Sequence, residues 1–110
     1  MEAREGTMPL FAIIARDKPN HIEVRKATRE DHLAHLGTLG PRLRAAGPML
    51  DEVGVPMGSL VIIEAGDEAE AREFAGRDPY ASANLFESVE IVPWTLAIGA
   101  WAMSASDAAS

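Results

Sequence analysis

The sequence has no cysteine, which excludes disulfides, thiolate metal centres, iron–sulfur clusters and cysteine nucleophiles and points to a reducing cytoplasm. Basic residues are also in short supply. Ten Lys and Arg against seventeen Asp and Glu leave a net charge of -7, which repels phosphate backbones and anionic lipid, so nucleic acid and membrane are poor partners. No apolar run is long enough to cross a bilayer. The longest, WTLAIGAWAM from Trp94 to Met103, is about half of what a spanning helix requires and reads as a strand or an interface segment. The glycines at 37, 40, 47, 54 and 58 form neither a dinucleotide-binding fingerprint nor a P-loop. Gly58-Ser59 lacks the elbow and the adjacent base that a serine nucleophile needs.

What is present is an ordinary globular composition, 47% apolar and 25% charged over 110 residues, enough for one domain with a real core. Met1 to Thr7 is charged, lacks the apolar centre of a signal peptide, and reads as an upstream start or an expression remnant. Met8 to Arg16 predicts a first strand, and DKPN a turn. The TRED motif at Thr28 to Asp31 predicts a capping box and hence a helix from Thr28 to about Ala46, with Pro41 kinking or breaking it near Gly37 to Gly40. Gly47 to Val53 predicts a short strand, GVPMG a turn, and Gly58 to Ala65 a central strand with four consecutive aliphatic residues. Asp67 caps a helix that Gly76 ends. Ser88 to Ile98 predicts the last strand, placed at an edge or a bulge by Pro93, and SASDAAS a loose tail.

The order βαββαβ is that of the ferredoxin-like plan, an α+β fold in which two helices cover one face of a four-stranded antiparallel sheet. The other face is too apolar to stand open on a monomer, so the pattern implies a homodimer. Domain bounds follow: an extension over 1–7, the domain over 8–98, and a C-terminal extension over 99–110.

Three features carry possible chemistry. On a helical wheel His32 shares the sheet-facing stripe with Leu36, Leu39 and Leu43, while His35 lies to one side. Near the start of the predicted helix, His32 would feel the positive end of the backbone dipole, which favours the neutral ring and suits a general base. The plainer alternative is a core histidine bonded to a backbone carbonyl. A metal on HLAH is disfavoured, because the pair is three apart and no acid cluster completes a shell. Asp78 before Pro79 is a natural N-cap and N1 pair, which explains GRDPY as one helix ending and another beginning. Tyr80, the sole tyrosine, and Trp94 read as packing or as an apolar wall.

Taken together, Arg29, His32-Leu33 and Leu36 in an R-x-x-H-L-x-x-L pattern, then Ala46-Gly47-Pro48-Met49, GSLVI from Gly58, and Asp78-Pro79-Tyr80 with the ending LFESVEIVPW resemble the YciI-like, or YCII-related, family over about Met8 to Trp94. The resemblance implies a ferredoxin-like fold assembled as a dimeric α+β barrel, with sheets of two chains face to face. It implies that His32 and Asp78 approach each other in a pocket that takes a small molecule. Most members have no established activity; at least one is a dehydrochlorinase acting on a chlorinated hydroxyhydroquinone, and related barrels include muconolactone isomerase and heme- or quinone-handling monooxygenases. The chain departs from the family pattern after Trp94, where Thr95 to Ser110 extends with Trp101; this segment could close the pocket, extend the dimer interface or have no specific role, and its apolar run favours the interface.

The resulting expectation is a lyase or isomerase of dehydrochlorinase type, free of cofactor and metal, acting on a small aromatic or enol. His32 moves a proton, Asp78 orients it, Arg29 holds an anionic group of the substrate or anchors Asp78, and Ser59 and Tyr80 complete the binding site. Two alternatives accompany it: a non-catalytic module that binds a metabolite in the same pocket, and a purely structural His and Asp.

Overall fold

A computed structural model describes residues 8–101. Strand β1 (Leu10–Asp17) leads into helix α1 (Ile22–Gly37), a 3-10 turn (Gly40–Arg42), strands β2 (Leu43–Leu50) and β3 (Pro56–Glu64), helix α2 (Glu68–Gly76), a single-turn helix α3 (Pro79–Ser82) and strand β4 (Phe86–Trp94). The sheet order is β2-β3-β1-β4 with every neighbouring pair antiparallel, which is the ferredoxin-like arrangement.

Alternation along the strands sorts side chains into two layers. Phe11, Ile13, Val61, Ile63 and Ile91 point to the helices and form the core with Leu36 of α1 and Ala71 of α2. Ile63 is only 1% exposed, and burying such a side chain contributes about 1.5–3 kcal/mol. The opposite layer is apolar too. There Ala12 stands across from Ile62 on one side and Val92 on the other, and Ile14 across from Leu60. Pro93 lies on the edge strand β4, opposite Phe11, where its missing N–H costs little.

Several boundaries differ from the sequence-based expectations. Helix α1 starts at Ile22, and Thr28 lies inside it, so the TRED capping box does not form. The stripe that holds α1 against the sheet begins with Ile22 and a buried arginine, Arg25, and a charge in an apolar position conceals the helical period. The break near Gly37 to Gly40 is present: α1 ends at Gly37, and Pro41 sits in the separate 3-10 turn, entered through Gly40 at φ 58°. Leu43 to Ala46 is therefore the first half of β2 rather than helix. Strand β2 stops at Leu50 because Asp51 Oδ1 accepts from the Val53 and Val55 backbone N–H groups at 3.0 and 2.9 Å, closing a side-chain-stabilised turn. Strand β4 ends at Trp94, so Thr95 to Ile98 is not strand; Ile98 and Trp101 are exposed. The expectations for Met1 to Thr7 and for the SASDAAS tail lie outside the described residues.

Candidate active site

Helix α2 begins as its sequence directs. Asp67 accepts from the Glu70 N–H at 2.9 Å, and the Glu70 carboxylate reaches back to the Gly66 N–H at 2.6 Å. It ends at Gly76, with Arg77 as C-cap. Asp78 follows in extended conformation, as the residue before a proline prefers, and its Oδ1 accepts from the Tyr80 N–H at 2.9 Å to cap α3. This cap fixes the carboxylate relative to the backbone and turns it toward α1.

There it meets His32. The imidazole Nδ1 donates to Asp78, lying 2.9 Å from both carboxylate oxygens, and both side chains are nearly excluded from water. An ionised carboxylate only accepts, so it selects the Nδ1–H tautomer and leaves the Nε2 lone pair available. Nε2 has no hydrogen bond to protein among the described residues. Because α1 begins ten residues earlier, His32 is beyond the reach of the helix N-terminus, and the dipole argument does not apply to it.

Tyr80 stacks on the His32 ring with centroids 3.9 Å apart and planes 15° from parallel. The Arg25 guanidinium lies 4.6 Å from the centre of the same tyrosine ring. Arg25 and His32 are two turns apart on α1, roughly 10 Å along its axis, which leaves room for one aromatic ring between them. The edge of Phe86 closes against Tyr80 at 5.9 Å. Burial pushes the Tyr80 phenol above its ordinary pKa, despite the opposing pull of Arg25 and then Arg29, so the hydroxyl is neutral at physiological pH.

Arg25 and Asp17 were not singled out from the sequence. The two form a bidentate pair, Nε to Oδ2 at 2.7 Å and Nη2 to Oδ1 at 2.8 Å. Burial works against the Arg25 charge, but hydrogen bonding and attraction to Asp17 more than offset it and raise the guanidinium pKa. Nη2 also donates to Ser59 Oγ at 3.0 Å. Since Ser59 accepts there, its own proton is free to donate. A visible signal existed: Arg25 falls seven residues before His32 on the same stripe, an arginine where a helix facing a sheet ordinarily places an apolar residue.

These groups border a cavity of about 210 Å³ between α1 and strands β2 and β3. Its walls include Arg25, Arg29, His32, Ser59 and Tyr80; Asp78 stands behind His32. Arg29 is exposed at the rim and makes no hydrogen bond to Asp78, so the anchoring role considered for it is not observed. His35 belongs to the packing instead, with Nε2 donating to the Phe74 carbonyl at 2.9 Å and its ring stacked on Phe74. Trp94 is far from the site, on the opposite sheet face beside Leu10, Ile62 and Trp101. Among the described residues, no three His, Asp or Glu side chains are grouped to hold a metal, and no helix is long and apolar enough to cross a membrane.

Comparison with known proteins places this arrangement in context. Residues 9–95 match the family model of the YCII-related domain. The chain is 37% identical to the protein YciI of Escherichia coli over 93 residues, covering 77% of this chain and 95% of the relative. It is 38% identical to an uncharacterized protein of Haemophilus influenzae, covering 76% and 94% respectively. Among solved structures, it is similar to 5-chloro-2-hydroxyhydroquinone dehydrochlorinase of Burkholderia phenoliruptrix in complex with 2,5-dihydroxybenzoquinone, with 32% identity, TM-score 0.72, and coverage of 78% of this chain and 93% of the other. A NIPSNAP family protein of Agrobacterium tumefaciens, 20% identical with TM-score 0.52 and coverage of 80% and 91%, shares the fold alone. The matched domain and the identity over nearly the full length of these relatives establish that the chain belongs to the YCII-related family.

Proposed function

We propose that this protein is a cofactor-free acid–base enzyme of lyase or isomerase type, acting as a dehydrochlorinase or a close variant on a small aromatic or enol metabolite. The observation that carries this reading is the His32–Asp78 contact, 2.9 Å to both carboxylate oxygens, beside a cavity that also borders His32. Held as an acceptor at Nε2, the imidazole is a general base, and Asp78 stabilises the imidazolium formed when it takes a proton. Stacked Tyr80 restrains the ring plane, and the Ser59 hydroxyl, set by Arg25, donates to a substrate oxygen.

The related dehydrochlorinase supplies the model for the reaction class. In the keto tautomer of a chlorinated hydroxyhydroquinone, His32 Nε2 takes the proton of a remaining hydroxyl and its electron pair is relayed through the ring. The carbon–chlorine bond breaks and chloride leaves with the pair. In an isomerisation the proton taken from the hydroxyl returns at a ring carbon. The cavity, about 210 Å³, suits one substituted ring, since an apolar cavity of about 150 Å³ takes benzene.

The working form in this proposal is a homodimer. Leu60, Val92 and Trp94, each more than a third exposed, belong to the sheet face away from the helices, and such a patch is normally covered. A second copy packed on that face would leave the cavity, which opens on the helix side, accessible.

Chloride release and quinone formation from 5-chloro-2-hydroxyhydroquinone, the substrate named for the related enzyme, test the proposal. Wild-type protein turns it over and His32→Asn, folded and of equal size, does not. Equal rates in the two proteins reject the mechanism. Saturable binding without product at any pH supports a non-catalytic binding module instead.

A further inference from the structure

We infer that the ligand of this site is a single-ring organic anion, its acid group held at the cavity mouth by Arg29 with Lys26, one helical turn from the atom that meets His32. The inference rests on the proposed site and adds the charge class of what enters it.

The first observation is the sign of the cavity lining. Arg25, Lys26 and Arg29 all contribute to the wall and no carboxylate does, in a chain whose net charge is -7. The acids nearby are already engaged behind the wall, Asp17 with Arg25 and Asp78 with His32. Lys26 has only a loose contact with Glu23 at 3.8 Å, both side chains being mostly exposed. Arg29 has no ion-pair partner among the described residues. Of the other cations, Arg42, Arg44, Arg72 and Arg77 each pair with a glutamate, while Arg16 and Lys18, which do not line the cavity, have no ion-pair partner among the described residues. The site thus combines an unpaired guanidinium at its rim with a lining free of carboxylates.

The second observation is spacing. Arg29 precedes His32 by three residues on α1, roughly 4.5 Å along the axis. That is comparable to the separation of meta substituents on a six-membered ring, as between the carboxylate and the 5-hydroxyl of gentisate. A carboxylate at Arg29 therefore places a ring hydroxyl within reach of His32 Nε2. The buried end of the cavity provides a different kind of contact. Arg25, 5% exposed, spends Nε and Nη2 on Asp17 and Ser59, while its Nη1 makes no hydrogen bond to protein among the described residues. Together with the Ser59 hydroxyl it presents donors whose charge Asp17 has already balanced, suited to a neutral hydroxyl or carbonyl oxygen. One end takes the anion and the other a neutral oxygen.

Gentisate and hydroquinone separate the ideas, since gentisate is hydroquinone carrying one ring carboxylate. Calorimetric titration of full-length wild-type protein is expected to show gentisate binding about 10-fold tighter, as one charge-assisted contact provides. In Arg29→Gln that preference falls to about threefold or less, and in Arg29→Lys much of it returns, because the charge is kept without the guanidinium fork. Raising salt narrows the wild-type preference. Equal affinity for the two ligands, or an undiminished preference in Arg29→Gln with an unchanged melting temperature, overturns the inference. His32→Asn is expected to retain the preference, so a protein that selects gentisate but performs no chemistry would refute the acid–base proposal and leave this inference standing.

Discussion

Both carboxylate oxygens of Asp78 lie 2.9 Å from His32 Nδ1, and one of them also accepts the Tyr80 backbone N–H. A single side chain therefore serves as helix cap and as imidazole partner. Asp78→Asn separates the two tasks. Asparagine caps about as well as aspartate, so the melting temperature should hold within the equivalent of about 1 kcal/mol. The amide nitrogen, however, can donate to Nδ1 and select the wrong tautomer. Turnover is then expected to fall at least about 100-fold, measured by chloride release at fixed pH. A comparable loss of stability and no loss of turnover would make the contact structural.

The Arg25–Asp17 pair is buried on both sides, at 7% and 5% side-chain exposure. Removing one partner leaves an uncompensated charge, so Asp17→Ala should destabilise the fold by about 3–5 kcal/mol. The double variant Asp17→Ala with Arg25→Met should recover much of that loss, since apolar replacements remove the buried charge altogether. Urea denaturation of both variants checks this, and equal destabilisation in the two would show that packing, not charge, dominates.

Tyr80 is the only tyrosine in the chain, so phenolate absorbance reports on it alone. With the folded phenol pKa raised by burial, the native midpoint should lie above the ordinary value of about 10 and should drop to it on denaturation. The sign follows from linkage: the unfolded chain loses this proton first. The contribution to stability is full below the unfolded pKa and is lost as pH rises through the folded one. A native midpoint at or below the denatured one would contradict the buried, stacked ring.

Leu60 is 42% exposed on the face away from the helices. If that face joins two copies, wild-type protein should sediment as a dimer, and Leu60→Glu as a monomer with its helical circular dichroism retained. A monomeric wild type, or a dimer unaffected by the substitution, would place the contact elsewhere or remove it.

Local signals are legible in the sequence where local chemistry is strong. Asp67 and Glu70 at the start of α2, Asp78-Pro79 at the start of α3, the aliphatic run in β3 and the edge placement of Pro93 each need only a few neighbours in sequence. The start of α1 and the first half of β2 differ from expectation for separate reasons: Leu43 to Ala46 is strand because the chain restarts after the Gly40–Arg42 turn, and the start of α1 is hidden by a buried charge. Arg25 occupies a core-facing position whose compensation, Asp17 and Ser59, comes from two different strands, so hydropathy reports a polar segment where the fold has a buried one. Thr28 and Asp31 meanwhile imitate a helix start within a helix already under way.

Capping, alternation and proline chemistry act over a few residues, so the α+β class, the order of its elements and the backbone conformation around Asp78 are legible in the sequence. That His32 and Asp78, 46 residues apart, meet across a helix–helix contact follows only from how the chain packs. Packing likewise buries Arg25 against Tyr80 and turns Arg25, Lys26 and Arg29 to a cavity behind whose wall Asp17 and Asp78 are engaged. Those relationships depend on how α1 and α3 settle on the sheet, and the free energy that places them comes from the core as a whole rather than from any motif.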